Sequence, residues 1–224
     1  MRFVYSSLFT VCILVVSGCS NTYRIFKDSF QLALKEYEPV QLTWEQIGAS
    51  SEDLVLVEDA NKQILLSTIF EDNDKLVVAT EDRQRMIVFD RWRIIKTYGT
   101  RPELLYLLPL TPDPLPTFND AQEYIAHLHW KDDSRTEISS NLQAPYQATI
   151  EINKENFCVK VVKEVITERA FIEDRNSNST YSNIYRFDCQ RHVLLQAEIN
   201  FRGTENALKF TFLSKLFREL SNEQ

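Results

Sequence analysis

The sequence predicts a mostly β protein, an antiparallel sandwich or partly closed barrel with short N-terminal helices. Between residues 54 and 98, short apolar runs alternate with polar breaks at a regular spacing. Consecutive antiparallel strands joined by tight turns produce this pattern. A second region rich in β-branched and aromatic residues lies between residues 148 and 201. The chain has only four glycines, none in a phosphate-binding pattern, which argues against folds built on glycine-rich nucleotide loops.

The first half of the chain contains five predicted strands and a helix start. The strands are expected at residues 54–57, 64–70, 76–79, 86–89 and 94–95. Before them, Thr43 is followed three residues later by Gln46, a spacing that predicts a capped helix. Three- and four-residue steps between apolar side chains also predict an amphipathic helix within residues 20–37. That helix would pack on the domain or lie at a membrane surface.

A proline-rich segment at residues 107–118 separates the two β-rich halves. Its four prolines predict an extended, semi-rigid crossing within one domain of residues 38–224, although the segment also fits a boundary between two domains. Later strands are expected at residues 148–152, 157–166, 181–189, 193–201 and 208–212. Leu195, Ala197 and Ile199 are expected to share one face of a half-buried hairpin. A short helical tail is expected after Phe212.

The N-terminus resembles a bacterial lipoprotein signal. Arg2 precedes an uncharged apolar run over residues 3–16. This run is shorter than the ~20 residues that a membrane-spanning helix needs, but it fits the core of a secretory signal. It ends in the sequence VVSGC at residues 15–19, where small side chains precede Cys19. An ordinary signal peptide with an incidental cysteine is the alternative.

The lipoprotein interpretation divides the N-terminal region into two parts. Residues 1–18 are the expected signal peptide, and residues 19–37 are the expected lipidated tether, with diacylglycerol on the Cys19 thiol. A further acyl chain such as palmitate on the Cys19 amine would make the anchor durable. Ser20 follows the cysteine where Asp would favour retention in the inner membrane. We therefore expect an outer-membrane protein that faces the periplasm.

The two cysteines beyond residue 37, Cys158 and Cys189, are predicted to form a disulfide because the periplasm is oxidising. Two free buried thiols are the alternative. His127 and His129 are two residues apart, but such pairs are more often exposed strand histidines than metal ligands. No metal or cofactor is predicted.

Six cations lie within residues 83–101 of this acidic chain, whose formal net charge is −7. They are Arg83, Arg85, Arg91, Arg93, Lys96 and Arg101. Arg91 and Arg93 are expected to share a strand face, so that the cluster forms a basic patch for an anionic sugar polymer, a lipid headgroup or an acidic protein. A solvated strand face, partly neutralised by Asp82 and Asp90, is the alternative. The overall acidity argues against nucleic acid as a partner.

Several short segments resemble the YjbF/GfcB lipoproteins of group 4 capsule and exopolysaccharide operons. They are residues 40–47 (VQLTWEQI), 81–83 (EDR), 93–99 (RIIKTYG), 183–188 (NIYRFD) and 193–194 (VL). The segments occur in the same order as in that family. The resemblance implies a predominantly β lipoprotein of the outer membrane with a role in secreting or assembling a surface polysaccharide, and it supplies no catalytic residues.

The expected function is a non-catalytic accessory role, with export-channel components or anionic polysaccharide as partners and the membrane bound through lipid. Two alternatives stay open. One is a periplasmic enzyme that modifies polysaccharide with paired carboxylates, since the chain has 32 acidic residues. The other is a lipoprotein that maintains the cell envelope.

Overall fold

The computed structural model describes residues 40–59, 62–72, 74–171, 178–200 and 207–222. The chain divides into a unit of residues 1–39 and a unit of residues 40–224, and the described residues all belong to the second unit. The expected signal peptide, Cys19 and the helix expected within residues 20–37 lie outside them and stay predictions. Among the described helices, none has the length and apolar character needed to cross a membrane.

Thirteen strands and two α-helices make up the described unit. The helices are α1 (Trp44–Ala49) and α2 (Leu213–Asn222), and a 3-10 turn occupies Leu115–Thr117. The strands are β1 (Leu54–Asp59), β2 (Lys62–Asp72), β3 (Lys75–Ala79), β4 (Met86–Asp90), β5 (Arg93–Tyr98), β6 (Leu104–Pro109), β7 (Tyr124–Trp130), β8 (Arg135–Leu142), β9 (Tyr146–Ile152), β10 (Glu155–Ala170), β11 (Asn178–Asp188), β12 (Leu194–Ile199) and β13 (Leu208–Thr211). Of these, β6, β7 and β8 were not among the strands expected from the sequence.

Twelve strands follow one another in one antiparallel sheet in the order β5–β4–β3–β2–β1–β13–β12–β11–β10–β8–β7–β6, and β9 pairs with β10 off this path. The last strand, β13, pairs with both β1 and β12 and thereby joins the two halves of the chain. The Leu104 amide of β6 donates to Thr97 Oγ1 of β5 at 2.8 Å, so the two ends of the sheet meet. The sheet is therefore nearly closed and barrel-like, which confirms the predicted fold class.

Both halves of the chain contribute to one core inside this sheet. Phe89 of the first half packs edge-to-face against Phe210 and Phe212 of the second, with ring centroids 5.6 and 6.0 Å apart. Tyr185 and Phe187 from β11 are also fully buried in this core. Alternating side chains along each strand produce it, because every second residue faces inward. The proline-rich segment consequently does not separate two cores.

A second, smaller core lies where the helices pack on the outside of the sheet. The sequence signal for α1 is confirmed: the Thr43 hydroxyl accepts from the Gln46 amide, and the Gln46 side chain accepts from the Thr43 amide. Gly48 permits the close contact of the two helices, because a Cβ there would lie 2.5 Å from the tip of the Phe217 ring, which would have to move. Leu195 packs in this outer core and not with Ala197 in the barrel, so the prediction of one shared face is wrong. The reason is a register shift in the β11–β12 ladder at Leu195, which turns this side chain to the outer face, where α2 covers it.

Candidate functional sites at the two ends of the barrel

The up-and-down topology places the turns of the first half at two opposite ends of the barrel. The β3–β4 and β5–β6 turns lie at one end, which carries Arg83, Arg85, Lys96 and Arg101 and is called the basic end below. The β2–β3, β4–β5 and β11–β12 turns lie at the other end, with residues 110–119 and the start of α2. This second end is called the latched end, for the ion pair described below.

At the basic end, cations project from two turns and one strand. Arg83 and Arg85 are exposed in the β3–β4 turn, and Arg101 is exposed in the β5–β6 turn. Lys96 faces outward from β5, with its Nζ 4.7 Å from the centroid of the Tyr98 ring. Four of the six clustered cations therefore lie at the same end of adjacent strands.

Local hydrogen bonds hold the β3–β4 turn in shape. Asp82 accepts from the Thr80 hydroxyl and from the Gln84 amide, and these two bonds lower the pKa of Asp82 below its ordinary value. Gly99, with φ +66°, lies directly against this turn: a Cβ on it would be 2.0 Å from the Gln84 carbonyl oxygen. The close approach of Gly99 thus fixes the β3–β4 turn against the β5–β6 turn.

Arg91 departs from the expected patch because it lies at the latched end. It occupies the β4–β5 turn in a left-handed conformation, with φ 53°. Its Nε is 3.0 Å from Asp74 Oδ2, and its backbone amide also donates to the Asp74 carbonyl oxygen. The prediction that Arg91 and Arg93 share a strand face is therefore wrong, since the turn ends before Arg93 begins β5.

Arg93 is buried inside the barrel and is not part of an exposed basic surface. Its guanidinium donates to both oxygens of Asp113, at 2.7 and 2.9 Å, and to Glu164 at 3.1 Å. It also stacks over the Tyr124 ring, 4.0 Å from the ring centroid. A buried arginine requires such partners, because an unpaired charge in the interior is very costly. The alternation that predicted an outward side chain failed here because the barrel interior contains matching carboxylates.

Glu164 is the centre of this interior network. It is fully buried on β10 and also accepts from the Ser140 hydroxyl at 2.5 Å and the Tyr185 hydroxyl at 3.1 Å. Burial alone would raise the pKa of Glu164, but the Arg93 charge and the hydrogen bonds together hold it below the ordinary value. The carboxylate is therefore kept ionised by its surroundings.

Asp113 connects the interior network to the proline-rich segment. One of its oxygens accepts from the Leu115 amide at 3.0 Å, so the same carboxylate caps the 3-10 turn and binds Arg93. Leu115 is fully buried, and Phe118 packs against Phe187 with ring centroids 5.0 Å apart. The segment predicted to be a crossing is thus fastened across one end of the barrel by an ion pair.

The barrel interior also contains a cavity of about 60 Å³ beside Arg93, Tyr185 and Asn183. A cavity of this volume admits a few water molecules. Pockets for small organic ligands are typically about 300–1,000 Å³. The interior is therefore too small for a sugar ring, and a carbohydrate contact has to use the outside of the barrel or its ends.

At the latched end, a cavity of about 380 Å³ opens between the β2–β3 turn, the β4–β5 turn and α2. Its charged lining consists of Glu71, Asp74, Lys75, Arg91 and Lys215, beside the indole of Trp92. Arg91, predicted as part of one basic patch, thus belongs to a different group of charges.

Cys158 and Cys189 are joined by a disulfide, with their Cα atoms 5.7 Å apart. The bond ties the first half of β10 to the β11–β12 turn at the latched end. Neither cysteine is available for other chemistry while the bond is intact.

His127 and His129 share the outer face of β7 but have separate partners. His127 Nε2 is 3.2 Å from Glu137 Oε2, and His129 stacks on Tyr106 with ring centroids 4.2 Å apart. Within the described part of the chain, no group of three or more His, Cys, Asp or Glu side chains is placed to hold a metal ion.

The interior network of Arg93, Asp113 and Glu164 was missed by sequence reasoning. Asp113 and Glu164 lie 20 and 71 residues from Arg93 along the chain, so no local pattern connects them. The available signal was Glu164 itself, a carboxylate on the same strand face as Val162 and Ile166. A charge in such a strand indicates a buried partner.

Comparisons with known proteins agree on fold and family. The structure is similar to the crystal structure of the hypothetical lipoprotein YmcC from Escherichia coli (K12), with a TM-score of 0.64. That likeness covers 83% of this chain and 94% of the other at 19% identity, and it speaks to the fold alone. A comparison with curated proteins found no match. A sequence model of the family described as group 4 capsule polysaccharide lipoprotein gfcB, YjbF matches residues 27–212, which include both ends of the barrel. The chain therefore belongs to the YjbF family of capsule polysaccharide lipoproteins.

Proposed function

We propose that this protein is a non-catalytic accessory in the secretion or assembly of a capsule or exopolysaccharide. It would be anchored in the outer membrane through lipid on Cys19 and would face the periplasm. The observation that carries the proposal is the match to a capsule polysaccharide lipoprotein family over residues 27–212. The sequence around Cys19 supports the anchor, and the oxidised Cys158–Cys189 pair is in keeping with an oxidising compartment.

The state of the interior carboxylates supports a role without catalysis. Glycoside hydrolysis by paired carboxylates requires one acid that stays protonated, with a raised pKa, and access for sugar and water. Asp113 and Glu164 instead both bind Arg93, and the pKa of Glu164 is lowered. The adjoining cavity of about 60 Å³ does not admit a sugar ring. These two acids are thus arranged to hold the fold together.

The basic end supports contact with an anionic polymer or an acidic partner. Arg83, Arg85 and Arg101 are exposed there on a chain whose formal net charge is −7. Cations clustered on one surface attract anionic ligands and speed their association, and Glu81 and Asp82 of the same turn reduce this attraction. Because the cations stand on turns held by Asp82 and Gly99, their backbone positions are set before binding.

Charge reversal in the gene-deletion strain tests this function. Loss of the gene is expected to reduce surface polysaccharide, and the wild-type gene is expected to restore it. Arg83→Glu with Arg85→Glu should restore it only in part, at a normal protein level. Lys154→Glu with Arg191→Glu, exposed cations in the β9–β10 and β11–β12 turns away from the basic end, is the matched control and should restore it fully. Normal polysaccharide in the deletion strain would refute the proposed function.

Two further measurements test the anchor and the partner. Cys19→Ser should prevent lipidation and the cut that follows it, so the protein should keep residues 1–18 and be lost from the outer-membrane fraction. Unchanged outer-membrane fractionation would contradict the lipid anchor. Photo-crosslinking from positions 83 and 85 in cells should capture an export-channel component or polysaccharide. Capture of unrelated outer-membrane proteins would instead favour the alternative of envelope maintenance.

A further inference from the structure

We propose that the cavity at the latched end binds a carboxylate-bearing sugar residue of an anionic polysaccharide. This inference rests on the proposed function and names the ligand class and the binding residues, which lie at the end opposite to the basic end. Lys75, Arg91 and Lys215 would bind the sugar carboxylate, Trp92 would contact the sugar ring, and Glu71 and Asp74 would accept hydrogen bonds from its hydroxyl groups.

The size and wall of the cavity fit one sugar residue and its neighbours in a chain. Its volume is about 380 Å³, within the range of roughly 300–1,000 Å³ typical of small-ligand pockets. The cavity opens to solvent, so one residue of a polymer can enter it while the rest of the chain stays outside. Trp92 is held in place from behind by Phe187, with ring centroids 4.5 Å apart, and by Phe118 at 6.4 Å. Its indole lines the cavity in a fixed position, where a sugar ring in the cavity can contact it.

The three cations of the cavity retain capacity to bind an anion. Arg91 is 47% exposed and pairs with Asp74, which leaves its terminal nitrogens available. Among the described residues, Lys75 makes no ion pair within 4 Å. Lys215 lies 3.9 Å from Glu71, too far for a hydrogen bond. The cations outnumber the carboxylates in the lining, in a protein that is acidic as a whole.

Lys215 stands where its charge is doubly disfavoured. It is the third residue of α2, and a cation in the first helical turn opposes the helix dipole. Its side chain is only 22% exposed, and burial lowers its pKa below the ordinary lysine value. Residues that break local rules are expected where function requires them. A ligand carboxylate beside Lys215 would compensate both penalties.

The carboxylates of the cavity argue for a sugar and against a phosphate or lipid headgroup. Glu71 is 45% and Asp74 is 56% exposed, so both present oxygens to the cavity or its rim. These oxygens repel a compact anion but accept hydrogen bonds from hydroxyl groups. A phosphate also has no apolar face for Trp92. An acidic sugar has all three features: an anionic group, hydroxyl groups and an apolar ring face.

Titration of the purified mature lipoprotein in detergent tests the site. The probes are the trimers of galacturonate and glucuronate, with neutral maltotriose and inorganic phosphate as comparators. We expect at least one uronate trimer to bind in calorimetry, and we expect salt to weaken this binding. The double substitution Lys75→Gln with Lys215→Gln should raise Kd about tenfold or more, because it removes charge-assisted hydrogen bonds, which are the strong ones. Arg135→Gln with Arg169→Gln should bind as the wild type does. Trp92→Phe should abolish the fluorescence change on binding while calorimetric binding persists.

The outcomes separate this inference from the proposed function. Three results would each overturn the sugar site. They are a failure of both uronate trimers to bind, equally tight binding of maltotriose or phosphate, and an unchanged Kd in a folded variant with Lys75→Gln and Lys215→Gln. A deletion strain that loses surface polysaccharide while the purified protein binds neither trimer would leave the proposed function standing and remove only this site. Thermal unfolding of each variant establishes that it is folded.

Discussion

The two ends of the barrel use the same cluster of cations in opposite ways. At the basic end, Arg83 and Arg85 are exposed on turns held by their own local hydrogen bonds. At the latched end, Arg91 pairs with Asp74, and just inside the barrel Arg93 binds two carboxylates that come from distant parts of the chain. Arg83 and Arg93 are ten positions apart in one basic segment, yet they have different environments and different effects on stability. Arg93 stabilises the fold, while Arg83 and Arg85 are exposed to solvent.

The difference follows from desolvation. An exposed charge keeps its water and gains little from a nearby opposite charge, typically 0–1 kcal/mol. A buried charge has lost its water and depends on the partners that replace it. Charge at the basic end can consequently change with little effect on stability, whereas charge at Arg93 cannot. The following predictions are ways to test this contrast.

The largest effect is expected from the same substitution at the two locations. Arg93→Met leaves Asp113 and Glu164 facing each other without a cation, and breaking a buried ion pair in this way costs about 3–5 kcal/mol. Arg85→Met changes an exposed side chain and should cost less than about 0.5 kcal/mol. Urea unfolding of both variants measures the difference. Equal free energies of unfolding would contradict the contrast between the two ends.

The second effect concerns the disulfide at the latched end. Cys158→Ser with Cys189→Ser removes a cross-link between residues 31 positions apart. Loss of loop-closure entropy predicts a destabilisation of about 3–4 kcal/mol. Thermal unfolding of the variant and of the wild type, with and without reductant, measures it, and reductant should affect only the wild type. If alkylation without prior reduction labels both cysteine peptides in mass spectrometry, the two residues are not bridged.

The third effect tests whether Asp113 fastens residues 110–119. Asp113→Asn weakens the bond to Arg93 and the cap on Leu115, which should cost about 1.5–3 kcal/mol because hydrogen bonds to charged groups are strong. Hydrogen exchange should accelerate at the amides of Leu115 and Phe118. Asp74→Asn breaks the exposed pair with Arg91 and is the matched control, with an expected cost of less than about 1 kcal/mol. Unchanged exchange in Asp113→Asn would show that packing alone holds the segment.

The smallest effect is a pH dependence centred on Glu164. Its pKa is held below the ordinary value of 4.5, so the folded state binds this proton more weakly than the unfolded state. The stabilisation by Glu164 is complete above that value and is lost as the pH falls through the lower folded-state pKa. Below pH 4.5, wild-type stability should fall more steeply than that of Glu164→Gln, by up to about 1.4 kcal/mol per pH unit. Parallel pH profiles would rule out an ionised Glu164 in the fold.

Local patterns in the sequence predicted the elements whose causes are local. The Thr43–Gln46 capping box and the strands between residues 54 and 98 follow from side-chain spacing over a few residues, and the structure places both as expected. Strands β6 and β7 were missed because prolines and polar residues flank their short apolar stretches. β6 pairs with β7 and β7 with β8, and the approach of β6 to β5 nearly closes the sheet, which a local pattern does not contain.

The candidate sites show the same difference between features with local causes and features that depend on long-range contacts. Clustering of cations in the sequence located the region of Arg83 to Arg101 but not the three environments into which it folds. Strand alternation also misplaced Arg93, because alternation separates two faces without stating which one is inside. Lys75, Arg91 and Lys215 are distant in sequence. They surround one cavity only because α2 packs beside the β2–β3 and β4–β5 turns.

By itself, the sequence determined the β character of this protein, the cap of its first helix and the likeness to its family, since each depends on short segments. Only the tertiary structure decided that the sheet nearly closes, that the proline-rich segment is fastened across one end, and that one arginine of a basic cluster is buried with two carboxylates. The physical reason is that burial and charge pairing depend on contacts between residues far apart in the chain. Glu164 and Arg93 are separated by 71 residues, yet each makes the burial of the other tolerable.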